Sequence, residues 1–299
     1  MTKSPEILGY LFALTSAFLW ALVAIFYKNI GRKVSSAGMN IGKSLVATLC
    51  LAIVLFIRGF EPIDTKTLFL LIMSGILGIS LGDTFFFMAL YRLRPSMAVV
   101  MTTLIPVLTV LFSVLFLNEH FSIKCWAGIT LTIIGIAIVL SKNNPDFLGK
   151  KNSLSGIIYG LLTSFCCAAS IIFSKCALVS ISALEASFIR HIAGLLLLMM
   201  WGIASSNLKS WLKPLQTDMS LIGKLFFASF LGTFLGTLFC LLGLKYAPAT
   251  IATVLNSTSP LFILPLSYII LKERIANNAI IGSMLAVAGV CLVLMESYK

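Results

Sequence analysis

Long apolar runs alternate with short polar segments along the whole chain. Runs of about twenty predominantly apolar residues lie at 7–27, 37–57, 68–91, 95–117, 124–141, 154–176, 183–204, 221–244, 249–271 and 277–295, and the segments between them carry Lys, Arg, Pro, Asn or Asp. As helices, rising about 1.5 Å per residue, such runs cross a hydrocarbon core of about 30 Å, whereas the strands of a membrane barrel would need only about ten alternating residues each. The pattern predicts ten transmembrane helices. The first run is long enough to span, is followed by Lys28 and lacks a small-residue cleavage site, so it reads as a retained helix and not a signal peptide. The longest polar connection, 205–220, sets Leu208, Trp211 and Leu212 among Lys209 and Lys213 and predicts a short interfacial anchor.

The chain also matches itself. At an offset of 154, GDTFFFMAL at Gly82 falls on GTLFCLLGL at Gly236, and without a gap Pro106 falls on Pro260, Glu119 on Glu273, Gly128 on Gly282 and Gly135 on Gly289. At an offset of 147, Gly9 falls on Gly156, Phe26 on Phe173, Lys28 on Lys175 and Lys43 on Arg190. Convergent composition would not hold one register through two loops, so the halves read as a duplication. Five spans per half is an odd number, so the second half must enter the bilayer from the opposite face. The expectation is an all-α integral membrane protein with ten transmembrane helices in two inverted five-helix repeats, the plan of secondary transporters whose pathway lies between the halves.

Composition agrees: 59% of residues are hydrophobic and 11% charged, with a mean hydropathy of +1.05, against about a quarter charged in soluble domains. The net charge of +12 sits mostly in short loops, where it serves anionic membrane lipids and not nucleic acid. Seven cysteines lie in apolar stretches without metal-ligand spacing and read as small buried hydrophobes. No HExxH, GxSxG or GxxxxGK[ST] motif is present, and His120 and His191 stand alone. Enzyme chemistry, a metal, a cofactor and an ATP-driven engine are therefore not expected.

The paired stretches TTLIPVLTVLFSVLFLNEHFSIKCWAGITLTIIGIAIVL and NSTSPLFILPLSYIILKERIANNAIIGSMLAVAGVCLVL each hold an apolar proline helix, a Glu at its exit and a glycine-bearing last helix. In this the chain resembles the ten-span EamA-type members of the drug/metabolite transporter superfamily, over nearly its whole length. The resemblance implies a first repeat over 1–150 (helices 1–5) and a second over 151–299 (helices 6–10). It implies an exporter or exchanger of small metabolites in a bacterial inner (plasma) membrane, and a functional monomer is expected. Family members are similar to exporters of amino acids, drugs and other metabolites, with distant relatives moving sugar phosphates or nucleotide sugars. Two positions depart from the family pattern: Lys43 stands where arginine is frequent, and Asp83 where a neutral residue is usual. The resemblance puts both termini in the cytoplasm, while the basic residues outside Lys43 and Arg190 number 13 on the other side and 7 on the side of the termini, which by the positive-inside rule puts the termini outside.

Polar residues within spans are the candidates for binding. Pro106 and Pro260 interrupt helix hydrogen bonding in the fourth and ninth spans, either as packing kinks or as gating bends. Asn256, Ser257, Thr258 and Ser259 precede Pro260 within a turn, and Thr102 and Thr103 hold the corresponding place before Pro106. Some of these hydroxyls back-bond to their own helix; Asn256 is the leading candidate for orienting a polar solute. Lys43 lies about 9 Å into its span, Asp83 about 10 Å from the end of its own, and Arg190 about 10 Å into the seventh. Lys43 either snorkels to headgroups or faces the pathway. Asp83 pairs with Lys43 or meets an ammonium group. Counting spans puts Lys43 and Asp83 toward one face and Arg190 toward the other, a basic residue near each mouth. Trp20 either lines the cavity or sits at the interface, His191 packs or relays a proton, and Glu119 and Glu273 cap helices or pair with nearby cations.

Together these residues predict alternating-access transport of a small polar metabolite, foremost an amino acid or related zwitterion, driven by a gradient and with Asp83 as the site for any coupling proton. The alternatives are a multidrug or amine exporter, a nucleotide-type metabolite exchanger, and a lipid scramblase or channel.

Overall fold

Helix boundaries follow local chemistry. The computed structural model describes residues 4–117, 123–139, 153–246, 255–272 and 276–296. In the first half, helix α1 runs Ser4–Ile30 and α2 Ser36–Arg58, the latter capped by the Ser35 hydroxyl accepting from the Gly38 amide and ended by Gly59 at φ +92°. The third span is built from α3 (Thr65–Ser74), capped by Asp64, a π-helical stretch Gly75–Gly82, and α4 (Asp83–Arg92). The fourth is α5 (Pro95–Met101) and α6 (Leu104–Leu117), and the fifth is α7 (Ile123–Val139).

In the second half, α8 is Ser153–Ala177 and α9 Ala183–Ala204, which Ser182 and Glu185 open with a reciprocal capping box. After α10 (Leu208–Thr217), the eighth span repeats the third: α11 (Met219–Ala228), a π-helical stretch Ser229–Gly236, and α12 (Thr237–Tyr246). Helices α13 (Ser259–Leu271) and α14 (Asn277–Glu296) complete the bundle. Six continuous helical stretches are long and apolar enough to cross a membrane, and four shorter apolar ones fall in the fourth, fifth, ninth and tenth runs, which fits ten spans. No strand occurs among the described residues. Glu119, His120 and Glu273 lie outside the described residues.

The two π-helical stretches begin 154 residues apart, the offset at which the sequence matches itself. Such backbone is rare and concentrates at functional sites. Its wider turn needs other partners: the Asn40 amide reaches the carbonyls of Ile79 at 2.7 Å and Ser80 at 3.2 Å and the Thr84 hydroxyl at 2.8 Å. In the second half the Ser16 hydroxyl donates to the Gly236 carbonyl at 2.9 Å, and Tyr27 shares a 2.9 Å hydrogen bond with Thr233. The first π stretch packs on α8 and α9, the second on α1 and α2. Glycine permits both approaches. A Cβ at Gly78 would lie 2.4 Å from the Ser170 hydroxyl, and one at the corresponding Gly232 would lie 2.4 Å from Val23.

Helices α7 and α14 pack on each other along their length. A Cβ at Gly135 would come within 2.6 Å of the Gly282 carbonyl, and one at Gly289 within 2.7 Å of the Gly128 carbonyl. Each contact is the other displaced by 154 positions, the reciprocity that a two-fold relation produces.

The 205–220 connection differs from a free interfacial anchor. Leu215 of α10 is buried, Trp211 meets Trp201 edge to face at 5.9 Å, and the Trp211 carbonyl abuts Gly38, while Lys209 and Lys213 stay exposed. This amphipathic helix spends its apolar face on the ends of α2 and α9. The largest apolar core lies nearby, where Tyr27, Phe87, Leu90, Met97, Leu215 and Leu225 meet. There the Lys28 ammonium donates to the carbonyl of Leu93 at 2.6 Å and to that of Leu90, tying α1 to the end of α4.

Candidate solute-binding site

A cavity of about 210 Å³ lies between the halves. Its walls come from the elements that break regular helix: Gly78 and Ile79 of the first π stretch, Asp83 just after it, Thr102 and Pro106 at the interruption of the fourth span, and Asn256, Ser257 and Ser259 at that of the ninth. Trp20 of α1 and Arg190 of α9 complete the set of sequence candidates that it gathers. His191 also lines it, almost fully buried, with Nδ1 2.8 Å from the Ser187 carbonyl.

Three candidates stand elsewhere. Thr103 is fully buried outside the lining, its hydroxyl donating to the Val100 carbonyl at 2.7 Å. Pro260 is buried and is not part of the lining, unlike its counterpart Pro106. Lys43 neither snorkels nor opens to a vestibule. It is 0% exposed, ion-paired with Asp83, and its ammonium sits 5.7 Å from the centre of the Phe87 ring. The expected basic residue at each mouth is thus replaced by a single cavity with Arg190 in its wall and Lys43 behind Asp83.

The proline carbonyls are also not left open. The carbonyl four residues before Pro260 belongs to Asn256 and accepts the Ser259 hydroxyl at 2.9 Å; the one four residues before Pro106 belongs to Thr102 and accepts the Ile105 amide at 3.0 Å. Hydroxyls of Thr102 and Thr258 back-bond to Val99 and Leu255, both at 2.6 Å. These side chains repair the backbone at the break. The Asn256 side chain takes no part in that repair: its amide donates to Cys240 Sγ at 3.2 Å, and its Oδ1 is buried with no partner.

Arg190 is placed from behind. Its Nη2 donates to the Ser170 hydroxyl at 3.3 Å, and that hydroxyl is fixed by Ser74, which also bonds Ser174 at 2.6 Å. Its Nε has no partner, and among the described residues no carboxylate pairs with it. The lining charges are therefore Asp83, already neutralised by Lys43, and an unpaired guanidinium.

Sequence reasoning passed over α8. Thr163, Cys167, Ser170 and Ser174 all line the cavity. They recur at intervals of four, three and four, one face of a helix; that stripe was the available signal, obscured by reading the cysteines as small buried hydrophobes. Thr237 and Cys240 of α12 were likewise missed. Among the described residues no group of His, Cys, Asp and Glu could hold a metal.

Two stretches, residues 7–141 and 154–295, match the EamA-like transporter family. The chain belongs to that family. As an EamA-like transporter it is a multi-pass integral membrane protein of the drug/metabolite transporter superfamily. An uncharacterized transporter of Archaeoglobus fulgidus is 28% identical over 292 residues, 96% of this chain and 98% of that protein. An uncharacterized protein of Methanocaldococcus jannaschii is 33% identical over 137 residues, which make up 44% of this EamA-like chain but 98% of that protein. A solved protein crystal structure shares the fold, with a TM-score of 0.63 at 16% identity over 95% of this chain and 97% of that one.

Proposed function

We propose that this transporter moves small polar metabolites, foremost amino acids or related zwitterions, across a bacterial inner (plasma) membrane by alternating access between two inverted repeats, residues 1–150 and 151–299, of a functional monomer. The observation that carries the reading is the pairing, in one cavity, of an unpartnered Arg190 Nε with an unpartnered Asn256 Oδ1. A buried donor and acceptor without partners are costly unless a ligand or water meets them. The guanidinium suits a carboxylate, the amide oxygen suits a donor on the solute, and Asp83 keeps a carboxylate at the cavity wall for an ammonium group.

Size supports the same reading. The cavity of about 210 Å³ is smaller than the roughly 300–1,000 Å³ of drug-sized sites, which favours metabolites over multidrug export. A coupling proton would have to reach Asp83, whose carboxylate Lys43 already holds, so a solute gradient is the simpler drive. Sealed, ATP-free proteoliposomes containing the protein should show saturable, competable amino-acid flux. Absence of saturable flux across a panel of amino acids, amines, nucleotides and drugs would overturn the proposal, and unselective leak or lipid flipping would favour a channel or scramblase.

A further inference from the structure

Several lining positions recur in both halves, among them Trp20 and Cys167, Asp83 and Thr237, Thr102 and Asn256, while others line the cavity in one half only, so a comparison of the halves shows where its space lies. At the offset of 147, Trp20 corresponds to Cys167, Val23 to Ser170 and Tyr27 to Ser174; at the offset of 154, Phe86 corresponds to Cys240. In each pair the first half has the larger, mostly aromatic residue and the second a small polar one. The correspondence is spatial as well as sequential. Gly78 packs against Ser170 as Gly232 packs against Val23, and Gly82 approaches Cys167 as Gly236 approaches Trp20.

Charge is distributed by the same rule. Lys43 corresponds to Arg190 and Asp83 to Thr237. Helix α2 packs on α4, bringing Lys43 to Asp83, and α9 packs on α12 in the same relation. The first half therefore supplies its own carboxylate to its own cation. The second half has a cation without a carboxylate beside it, the Thr237 hydroxyl standing at the position that corresponds to Asp83, and there Arg190, Ser170 and Thr237 line the cavity.

We infer that the space bounded by Arg190, Ser170 and Thr237 is the seat of the solute's carboxylate, held there as Asp83 is held by Lys43, and that Thr237 is the specificity-determining position that leaves it open. This rests on the proposed transport of small polar solutes and narrows it: the solute carries a carboxylate, and a neutral amide analogue is excluded. A guanidinium whose buried Nε lacks a partner and whose Nη2 is already oriented by Ser170 has the planar, two-point geometry that a carboxylate matches. The Thr237 hydroxyl supplies a neutral hydrogen-bonding edge that does not compete for the charge.

The test uses thermal unfolding of the intact protein in detergent. Thr237→Asp should raise Tm by a few degrees in ligand-free protein, because Arg190 gains an internal partner, whereas Thr237→Asp placed in an Arg190→Gln background should lower it. A fall in Tm of equal size in both backgrounds would overturn the inference. Wild-type protein is then titrated with L-serine, L-threonine, L-phenylalanine and lactate, and with the carboxamides of the three amino acids. Stabilisation by carboxylates at concentrations roughly tenfold or more below those of their amides, lost in Thr237→Asp, is the expected result. Equal response to acids and amides, or no response to any, would overturn it even if the Thr237→Asp variant did not fold. Carboxylate binding without flux in proteoliposomes would instead uphold this subsite and overturn the transport reading.

Discussion

Lys43 and Asp83 form an ion pair in which the lysine side chain is fully buried and the aspartate side chain 18% exposed, to the cavity. Removing one partner of a buried pair strands the other charge at a cost of about 3–5 kcal/mol, while replacing both with apolar groups costs far less. Lys43→Met should therefore lower Tm sharply, and Lys43→Met/Asp83→Leu should recover much of the loss. A double-mutant cycle by thermal unfolding in detergent checks this; additive losses would show that the pair contributes no coupling.

Asn256→Ala should weaken solute binding by about 1–2 kcal/mol, the scale of one unmade buried hydrogen bond, with assembly intact. Ser259→Ala should behave differently, because its hydroxyl occupies the Asn256 carbonyl that Pro260 leaves without an amide. Its loss should lower Tm more than affinity. Titrations and melts on the two variants separate binding from helix repair.

Lys28 holds the Leu93 and Leu90 carbonyls at one end of the bundle, while its counterpart Lys175 stands exposed at the other. Lys28→Met should loosen that end. With the native cysteines replaced by alanine and a cysteine introduced at Thr102, the reaction rate with a membrane-impermeant maleimide should rise several-fold in the Lys28→Met background; an unchanged rate would mean that Lys28 does not hold that end together.

Outside the membrane spans, Asp218 has its acidity increased first by the Lys33 ammonium at 3.2 Å and then by the Leu221 amide of the helix it caps. A lowered folded-state pKa stabilises above the usual carboxylate pKa of about 4, and that contribution disappears as pH falls through the folded value. Asp218→Asn should accordingly reduce Tm slightly at pH 7, and the difference should shrink as pH falls through and below the usual carboxylate range, measured by parallel melts across that range.

The long apolar runs and the self-match could be read from residue order, because apolar run length and register are properties of the chain alone; that Asp83 and Arg190 line one cavity could not, since counting spans sets them toward opposite faces. The two π-helical stretches could not: their glycines announce close approach, but which partner approaches depends on a helix from the other half. Lys43 was legible as a buried cation and illegible as to its fate, since a snorkelling lysine and a paired one have the same sequence until a carboxylate is placed beside them in space. The same holds for Ser259, whose hydroxyl had two places to go. The stripe Thr163, Cys167, Ser170 and Ser174 was written plainly at helical spacing, yet small polar residues serve packing and binding alike, and only a void beside them distinguishes the two.

Where α7 crosses α14, Gly135 faces Gly282 and Gly289 faces Gly128, with no room for a side chain at either meeting. A substitution at one of these positions is judged by backbone contributed from the far half of the chain, so the two copies left by the duplication are not free to drift apart there. In the walls of the cavity the glycines meet side chains and not backbone, as Gly78 meets Ser170, and there Trp20 stands in one half against Cys167 in the other, and Asp83 against Thr237. The fold thus divides its own inheritance: identity is enforced along the seam of glycines, and divergence is permitted around the void, where new chemistry can be acquired one half at a time.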